Sequence, residues 1–250
     1  MMTQIKTPQE IAAMRQGGKI LATILQYLKA HTTAGMTTLD VDTLAREQLL
    51  EHGVRPAFLG YDGFPAAICI SVNEEIVHGI PGSRILHDGD VIKYDFGVEH
   101  EGLVTDSAIS FILGATTNPV AEKLIKATEE ALSRAIDIAR DGVRVGDLSA
   151  TIGQTIQKHG FYVQQSLGGH GVGHRVHEEP WIGNDGVAGT GQVLKAGMTI
   201  ALEPIAAVGT EDLVMADDEW TCITSDGSLA AQSEHTILIT ESGAEILTLP

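Results

Sequence analysis

Apolar residues Ile11, Met14, Leu21, Ile24, Leu25 and Leu28 follow the 3.6-residue period of an amphipathic helix. Just before them, Thr7-Pro8-Gln9-Glu10 has the form of a capping box with proline at the first helical position, which predicts where that helix begins. A second helix is expected to follow Thr38 and to stop before Gly53. Residues 54 to 113 read as strands and turns. Asn118-Pro119 opens a third helix running to about Arg140, and a fourth starts near Asp147 and stops before Gly160. The remainder returns to strand and loop, ending in Gln232 to Leu249, and no linker or low-complexity tract interrupts the chain.

The order helix, helix, strands thus occurs twice, and the repetition extends to single residues. Gly35, Asp40, His52 and Gly53 match Gly142, Asp147, His159 and Gly160, each pair 107 residues apart. The run Asp88 to Asp95 resembles Lys195 to Glu203 at a spacing of 108, and His78-Gly79-Ile80-Pro81 echoes His177-Glu178-Glu179-Pro180. Chance accounts for some of these, since a glycine often ends a helix. Two such halves, about 5–113 and 118–249, predict a single α+β domain over 1–250, with the sheets joined and the helices outside. Asp95 and Glu203 would then be equivalent, close to a pseudo-twofold axis.

Composition narrows the partners. A formal net charge of −17 argues against phosphate backbones and anionic membranes, and suits metal ions or the α-ammonium group of a peptide. At 43% apolar residues the chain can bury a core, yet no apolar run approaches the ~20 residues needed to span a bilayer. The first ten residues, Met1 to Glu10, show no signal core or cleavage pattern. Cys69 and Cys222 are too few for a disulfide framework. Together these predict a cytoplasmic protein with no nucleic-acid or membrane partner.

Val91 to Val98 and Leu103 to Phe111 read as a hairpin. With His100 and Glu101 as its two-residue turn, Asp95 and Asp106 fall directly opposite each other, with Cβ atoms about 4.5–5.5 Å apart. Two bare carboxylates at that spacing repel, so either one takes up a proton or a cation sits between them. The alternative is two solvated aspartates on an exposed hairpin, but Ile92, Tyr94, Phe96, Ile109 and Phe111 favour a partly buried sheet. His170 lies among four glycines in the stretch 168–173, which predicts a loop or strand edge where backbone approaches a ligand closely. A flexible surface loop is the other reading. Glu203 and Glu234 lie on apolar strand-like runs, where an ionised and unpaired carboxylate is disfavoured. An edge salt bridge would also satisfy them. Four carboxylates and an imidazole suit Mn, Fe, Co or Zn rather than a thiolate-selective metal. Two divalent ions about 3.5–4 Å apart would use all five and supply an activated water. Spacing alone does not establish such a pair, because the residues span about 140 positions.

From about Ile5 to Leu249 the sequence resembles the type I methionine aminopeptidases, whose fold is the so-called pita bread. The resemblance rests on His170-Gly171-Val172-Gly173 followed by His177-Glu178-Glu179-Pro180, on Gly197 through Glu203-Pro204, and on Ala231-Gln232-Ser233-Glu234-His235-Thr236. It implies the pseudo-symmetric halves and a dinuclear site with Asp95, Asp106, His170, Glu203 and Glu234 as ligands. It further implies that His78 and His177 contact the scissile amide and that Glu203 relays a proton. The implied substrate is the N-terminal initiator methionine of nascent proteins and peptides, followed by a small second residue. Tyr61, Phe64, Cys69, His78 and Trp220 match the family's methionine pocket, although plain core packing also explains Tyr61 and Phe64. The sequence departs from the family pattern at three places. Phe58 replaces a small residue and is expected to narrow the entrance, Val176 replaces a large aromatic one and is expected to widen the pocket, and His174 replaces an arginine. Prolidases and aminopeptidase P share the fold but usually carry an extra N-terminal domain, for which this chain has no room. A catalytically dead relative acting as a binding protein would usually have lost ligands. A monomer is expected, near the ribosome but without a Cys/His-rich docking extension.

Overall fold

A computed structural model of the chain describes residues 5–250. The leaderless reading of the N-terminus therefore lies, for Met1–Gln4, outside the described residues. The four helices of the described residues are α1 (Pro8–His31), α2 (Thr38–His52), α3 (Pro119–Ile138) and α4 (Val145–Lys158). Their ends follow from local chemistry. At α1, Thr7 Oγ1 accepts from Glu10 N while the Glu10 carboxylate accepts from Thr7 N, so two otherwise unpaired helix-end donors are satisfied. The same box, built from Thr37 and Asp40, opens α2 one residue earlier than expected. Gly53, at φ 67°, closes α2 in the left-handed conformation that costs glycine least. Along the apolar stripe of α1, Met14, Leu21, Ile24, Leu25 and Leu28 are at most 1% exposed. Each such side chain contributes roughly 1.5–3 kcal/mol by leaving water.

Each helix pair covers one antiparallel sheet. In the first, strand Val91–His100 pairs along its whole length with Leu103–Ile112, and its other edge takes Cys69–Val72 and Arg55–Pro56. In the second, Thr199–Leu202 lies between Gly168–Gly171 and His235–Ile239, with Glu178–Gly183 and Ala244–Ile246 outside them. Leu21, Ile24, Leu49 and Val41 pack with Ile70, Ile92 and Phe96 in one core; Leu124, Leu132, Leu148 and Ile152 pack with Ile200, Leu202 and Ile237 in the other.

The repeat is visible in hydrogen bonds. Gly35 N donates to Leu86 O, and Leu86 N donates to Met36 O; Gly142 N donates to Leu194 O, and Leu194 N to Val143 O. Both glycines have positive φ, 96° and 87°. The match between them is thus a matching turn docked on a matching segment ahead of a strand, each joined by an isolated bridge, Thr37 with Ile85 and Arg144 with Val193, beyond the general habit of helices to stop at glycine. This is the pita-bread arrangement expected from the sequence.

The sheets meet along a seam. Glu234 N donates to Ala108 O, Ser107 Oγ donates to Glu234 O at 2.7 Å, and Ser110 Oγ donates to Gln232 O at 2.6 Å. Asp106 N donates to Thr236 Oγ1, which donates in turn to Asp106 O, each at 2.8 Å. Asp106 and Glu234 are therefore fixed on the joint by main chain.

Candidate metal centre

The hairpin that carries Asp95 and Asp106 turns at Glu101-Gly102, one residue later than the sequence suggested. Gly97 faces Asp106, and Asp95 faces Ala108. Glu101 and Gly102 have φ of 51° and 80°, as a two-residue turn matched to strand twist requires. The two aspartates therefore form a diagonal pair on one face, a spacing of about 7–8 Å in such ladders, rather than a directly opposed one. Asp106 is only 3% exposed, which removes the solvated alternative. Its position opposite Gly97 leaves room for Phe58, whose ring lies where a Cβ on Gly97 would come within 2.6 Å. Phe58 is buried there as part of the wall.

His170 also corrects the sequence reading. It lies on an interior strand of the five-stranded sheet, paired on both sides, and not in a loop or at an edge. Its glycine neighbours serve close packing. A Cβ on Gly169 would come 2.1 Å from Ala201 O, and one on Gly171 would come 2.2 Å from Glu179 O. Only glycine lets these carbonyls approach so closely. The ring's Nδ1 lies 2.9 Å from Gly171 O, so Nδ1–H donates there and Nε2 keeps its lone pair. That Nε2 is 3.9 Å from Glu203 Oε1 and 4.0 Å from Asp106 Oδ2. Burial, with the neighbouring His177, holds the ring neutral by pushing its pKa down to about 3.

Glu203 follows strand Thr199–Leu202, and Glu234 falls in the break between Ala230–Gln232 and His235–Ile239 rather than within one continuous strand. The structure thus brings Asp95, Asp106, His170, Glu203 and Glu234 to one cavity of about 170 Å³. Ligand atoms of Asp106, His170 and Glu234 lie within 4.8 Å of one another. Burial pushes Asp95 up to about 6. Burial first, and then the charges of the neighbouring acids, pushes Asp106, Glu203 and Glu234 well above the carboxylate range. Asp106 Oδ1 and Glu234 Oε1 are buried and have no hydrogen-bond partner among the described residues. Carboxylates left bare and crowded in this way cost free energy unless a cation compensates them. Hard oxygen donors with a single imidazole nitrogen fit a divalent metal.

The rest of the cavity wall is apolar and aromatic. Phe64 and Trp220 meet edge to face with centroids 5.2 Å apart, and Cys69, Val176, Phe58 and Tyr61 complete it. Its volume resembles that of cavities that hold a single benzene-sized group, so it admits one side chain rather than a length of peptide. His78 and His177 stand at its mouth and also line a wider cleft of about 640 Å³. Tyr61 Oη is 2.8 Å from His177 Nδ1, and the His170 and His177 rings meet edge to face at 4.3 Å. His78 has φ 59°, a strained value for a non-glycine residue and one that recurs at functional sites. Burial lowers the pKa of both histidines, that of His78 to about 4.

Sequence reasoning missed Gln232. Its Nε2 donates to Asp95 Oδ2 at 3.2 Å and to Glu203 Oε2 at 3.1 Å, which joins the two acids that the repeat makes equivalent. An amide two positions before Glu234, on an otherwise apolar strand, was the available signal. Asp62, in the turn Tyr61–Gly63, also lines the cavity and was not anticipated.

The family described as metallopeptidase family M24 matches residues 12–241. The chain is 41% identical to a methionine aminopeptidase of Aquifex aeolicus, with 99% of each chain covered. It superimposes on a methionine aminopeptidase of Thermotoga maritima with a TM-score of 0.97 at 44% identity, each chain covered completely. A prolidase of Pyrococcus furiosus is more distant, with a TM-score of 0.81 and 25% identity over 98% of this chain and 65% of the prolidase. The pita-bread frame, the buried acids around His170 and the match over most of the sequence lead to one assignment: this chain belongs to metallopeptidase family M24.

Proposed function

We propose that this chain is a methionine aminopeptidase that removes the initiator methionine from nascent proteins and peptides, preferring a small second residue. The observation that carries the reading is a one-side-chain apolar cavity floored by two buried carboxylates, Asp106 and Glu234, two partly buried ones, Asp95 and Glu203, and a neutral imidazole. Asp95, Asp106, His170, Glu203 and Glu234 would hold two divalent ions, drawn from Co, Mn, Fe or Zn. When bound, such ions supply Lewis acidity and a nucleophile at neutral pH. Phe58, Tyr61, Phe64, Cys69, His78, Val176, His177 and Trp220 bind the methionine end of the substrate. The soft, flexible thioether gains about 0.3–1.5 kcal/mol from each aromatic contact. Glu203 faces both the acids and the wide cleft, a position from which its carboxylate can accept a proton and pass it on. His177 and His78 are neutral rings that donate hydrogen bonds to the developing oxyanion or to the leaving nitrogen. The domain is read as a single catalytic unit over 1–250, monomeric, cytoplasmic and working near the ribosome; among the described residues no helix is long and apolar enough to cross a membrane.

The likeness to a prolidase makes X-Pro cleavage the competing activity. Metal-loaded protein given Met-Ala-Ser and an Xaa-Pro peptide in parallel should release methionine from the first and leave the second intact. Exhaustive chelation should abolish release, and a divalent ion should restore it. Faster hydrolysis of the Xaa-Pro peptide, or full activity under chelation, refutes the reading.

A further inference from the structure

Loop 172–177 joins the His170 strand to strand Glu178–Gly183 and carries Val176 and His177 into the cavity. The loop's first residues are tied to the sheets, with Val104 N donating to Gly173 O and Val172 N to Thr199 O, and the stretch beyond them is also held from outside by the chain's own N-terminal segment. The Lys6 side chain is completely buried, and its Nζ donates to Glu178 Oε2 at 2.8 Å. The other oxygen of that carboxylate, Oε1, accepts from the backbone N–H groups of His174 at 2.6 Å and Arg175 at 3.1 Å. Lys6 N is anchored by donating to Gly197 O. Gly173 makes the space, since a Cβ there would lie 2.3 Å from Lys6 Cε. A second tie runs in parallel, with His174 Nε2 2.7 Å from Glu10 Oε1 in the first turn of α1. Both ties join residues more than 160 positions apart in sequence.

A buried ion pair is weak evidence for stability, because apolar side chains of similar volume often serve as well or better. What such a pair does supply is direction: its oxygens must stay on their donors, and here two of those donors are the main chain of the loop. Glu178 directly follows His177, so the carboxylate that Lys6 holds fixes the backbone from which the His177 ring projects. We propose that Lys6 and Glu178 form a positioning pair that sets His177, and with it the wall residue Val176, for the reaction. Lys6 holds Glu178 and so acts through the loop. This rests on the aminopeptidase reading above. Displacing a reacting group by about 1 Å costs roughly 10²-fold in rate even when the change is remote from the chemistry.

The test is a double-mutant cycle on metal-loaded protein, with Met-Ala-Ser hydrolysis and metal content as readouts. Lys6→Met should lower kcat roughly 10²-fold with metal content unchanged. In a His177→Ala background the same substitution should cost little further, because residues acting as a unit are not additive. Should Lys6→Met fail to fold, Glu178→Gln keeps the shape while weakening the pair, and the same comparison applies. Equal losses in both backgrounds, or an unchanged kcat in the single variant, overturn the proposal. Failure of the parent protein to hydrolyse the peptide refutes the aminopeptidase reading instead, and is seen before any variant is made.

Discussion

Replacing Asp95 by asparagine should make the metal-free protein more stable at alkaline pH, although it removes a residue of the site. Burial pushes this carboxyl from 3.8 to about 6, against one hydrogen bond from Gln232. Below pH 3.8 the group is protonated whether the chain is folded or not, and contributes nothing. As pH rises, the unfolded chain releases its proton first, so folding becomes progressively less favourable until about pH 6, above which the whole penalty is present. At about 1.36 kcal/mol per tenfold change in proton affinity, the penalty is about 3 kcal/mol. That is a large part of the roughly 5–15 kcal/mol by which domains typically fold. Asp95→Asn removes the charge and leaves an oxygen able to accept from Gln232. In chelator at about pH 8 the urea midpoint of the variant should correspond to about 3 kcal/mol of added stability, falling to about 1 kcal/mol at about pH 4.5, with unchanged denaturant slope. With saturating divalent ion the order should reverse, because the parent binds the ion and the variant binds it less well. A variant less stable than its parent in chelator at alkaline pH, or a difference that ignores pH, refutes the reasoning.

Two further outcomes follow from the site. His177→Ala should lower kcat by roughly 10²–10³ with metal content kept, the usual effect of losing a hydrogen bond aimed at transition-state charge; unchanged turnover removes His177 from the mechanism. Gly169→Ala places a methyl 2.1 Å from Ala201 O, so the His170 strand must move away from its neighbour. A loss of about 1–3 kcal/mol in thermal unfolding and weaker divalent-ion binding by calorimetry are expected, and a variant that binds as its parent does shows that the close approach is dispensable.

The helices are legible in the sequence because their ends are written locally: Thr7 with Glu10, Asn118 before Pro119, and the glycines at 53 and 160. The repeat can be read because the same turns recur against matching segments ahead of a strand. Register is harder. Taking His100-Glu101 as the hairpin turn misplaces it by one residue, although the glycine at the second position of Glu101-Gly102 favours the latter. Parity of the face survives, since the shift moves the pairing by two residues, and Asp95 and Asp106 still point the same way. The glycines around His170 read as looseness in the sequence, whereas they reflect tight packing of three strands, which no local pattern reveals. Gln232 and Lys6 escape notice for a related reason: Glu203 lies 29 positions from Gln232, and Glu178 lies 172 from Lys6. Asp95, His170 and Glu203 stand out because each interrupts an apolar or glycine-rich run, whereas Asp106 and Glu234 lie among polar neighbours, Thr105 and Ser107 for one and Ser233 and His235 for the other, and are legible only through the wider motif.

The seam between the sheets has a consequence for assembly. Its bonds join residues 122 to 130 positions apart, from Ser110 with Gln232 to Asp106 with Thr236. Contacts of such range close late, after local elements have formed. Strand His235–Ile239 must reach the seam before Asp106 and Glu234 can face each other. A growing copy of this chain therefore stays inert until strand His235–Ile239 has been made, and competence arrives in one late step rather than by degrees.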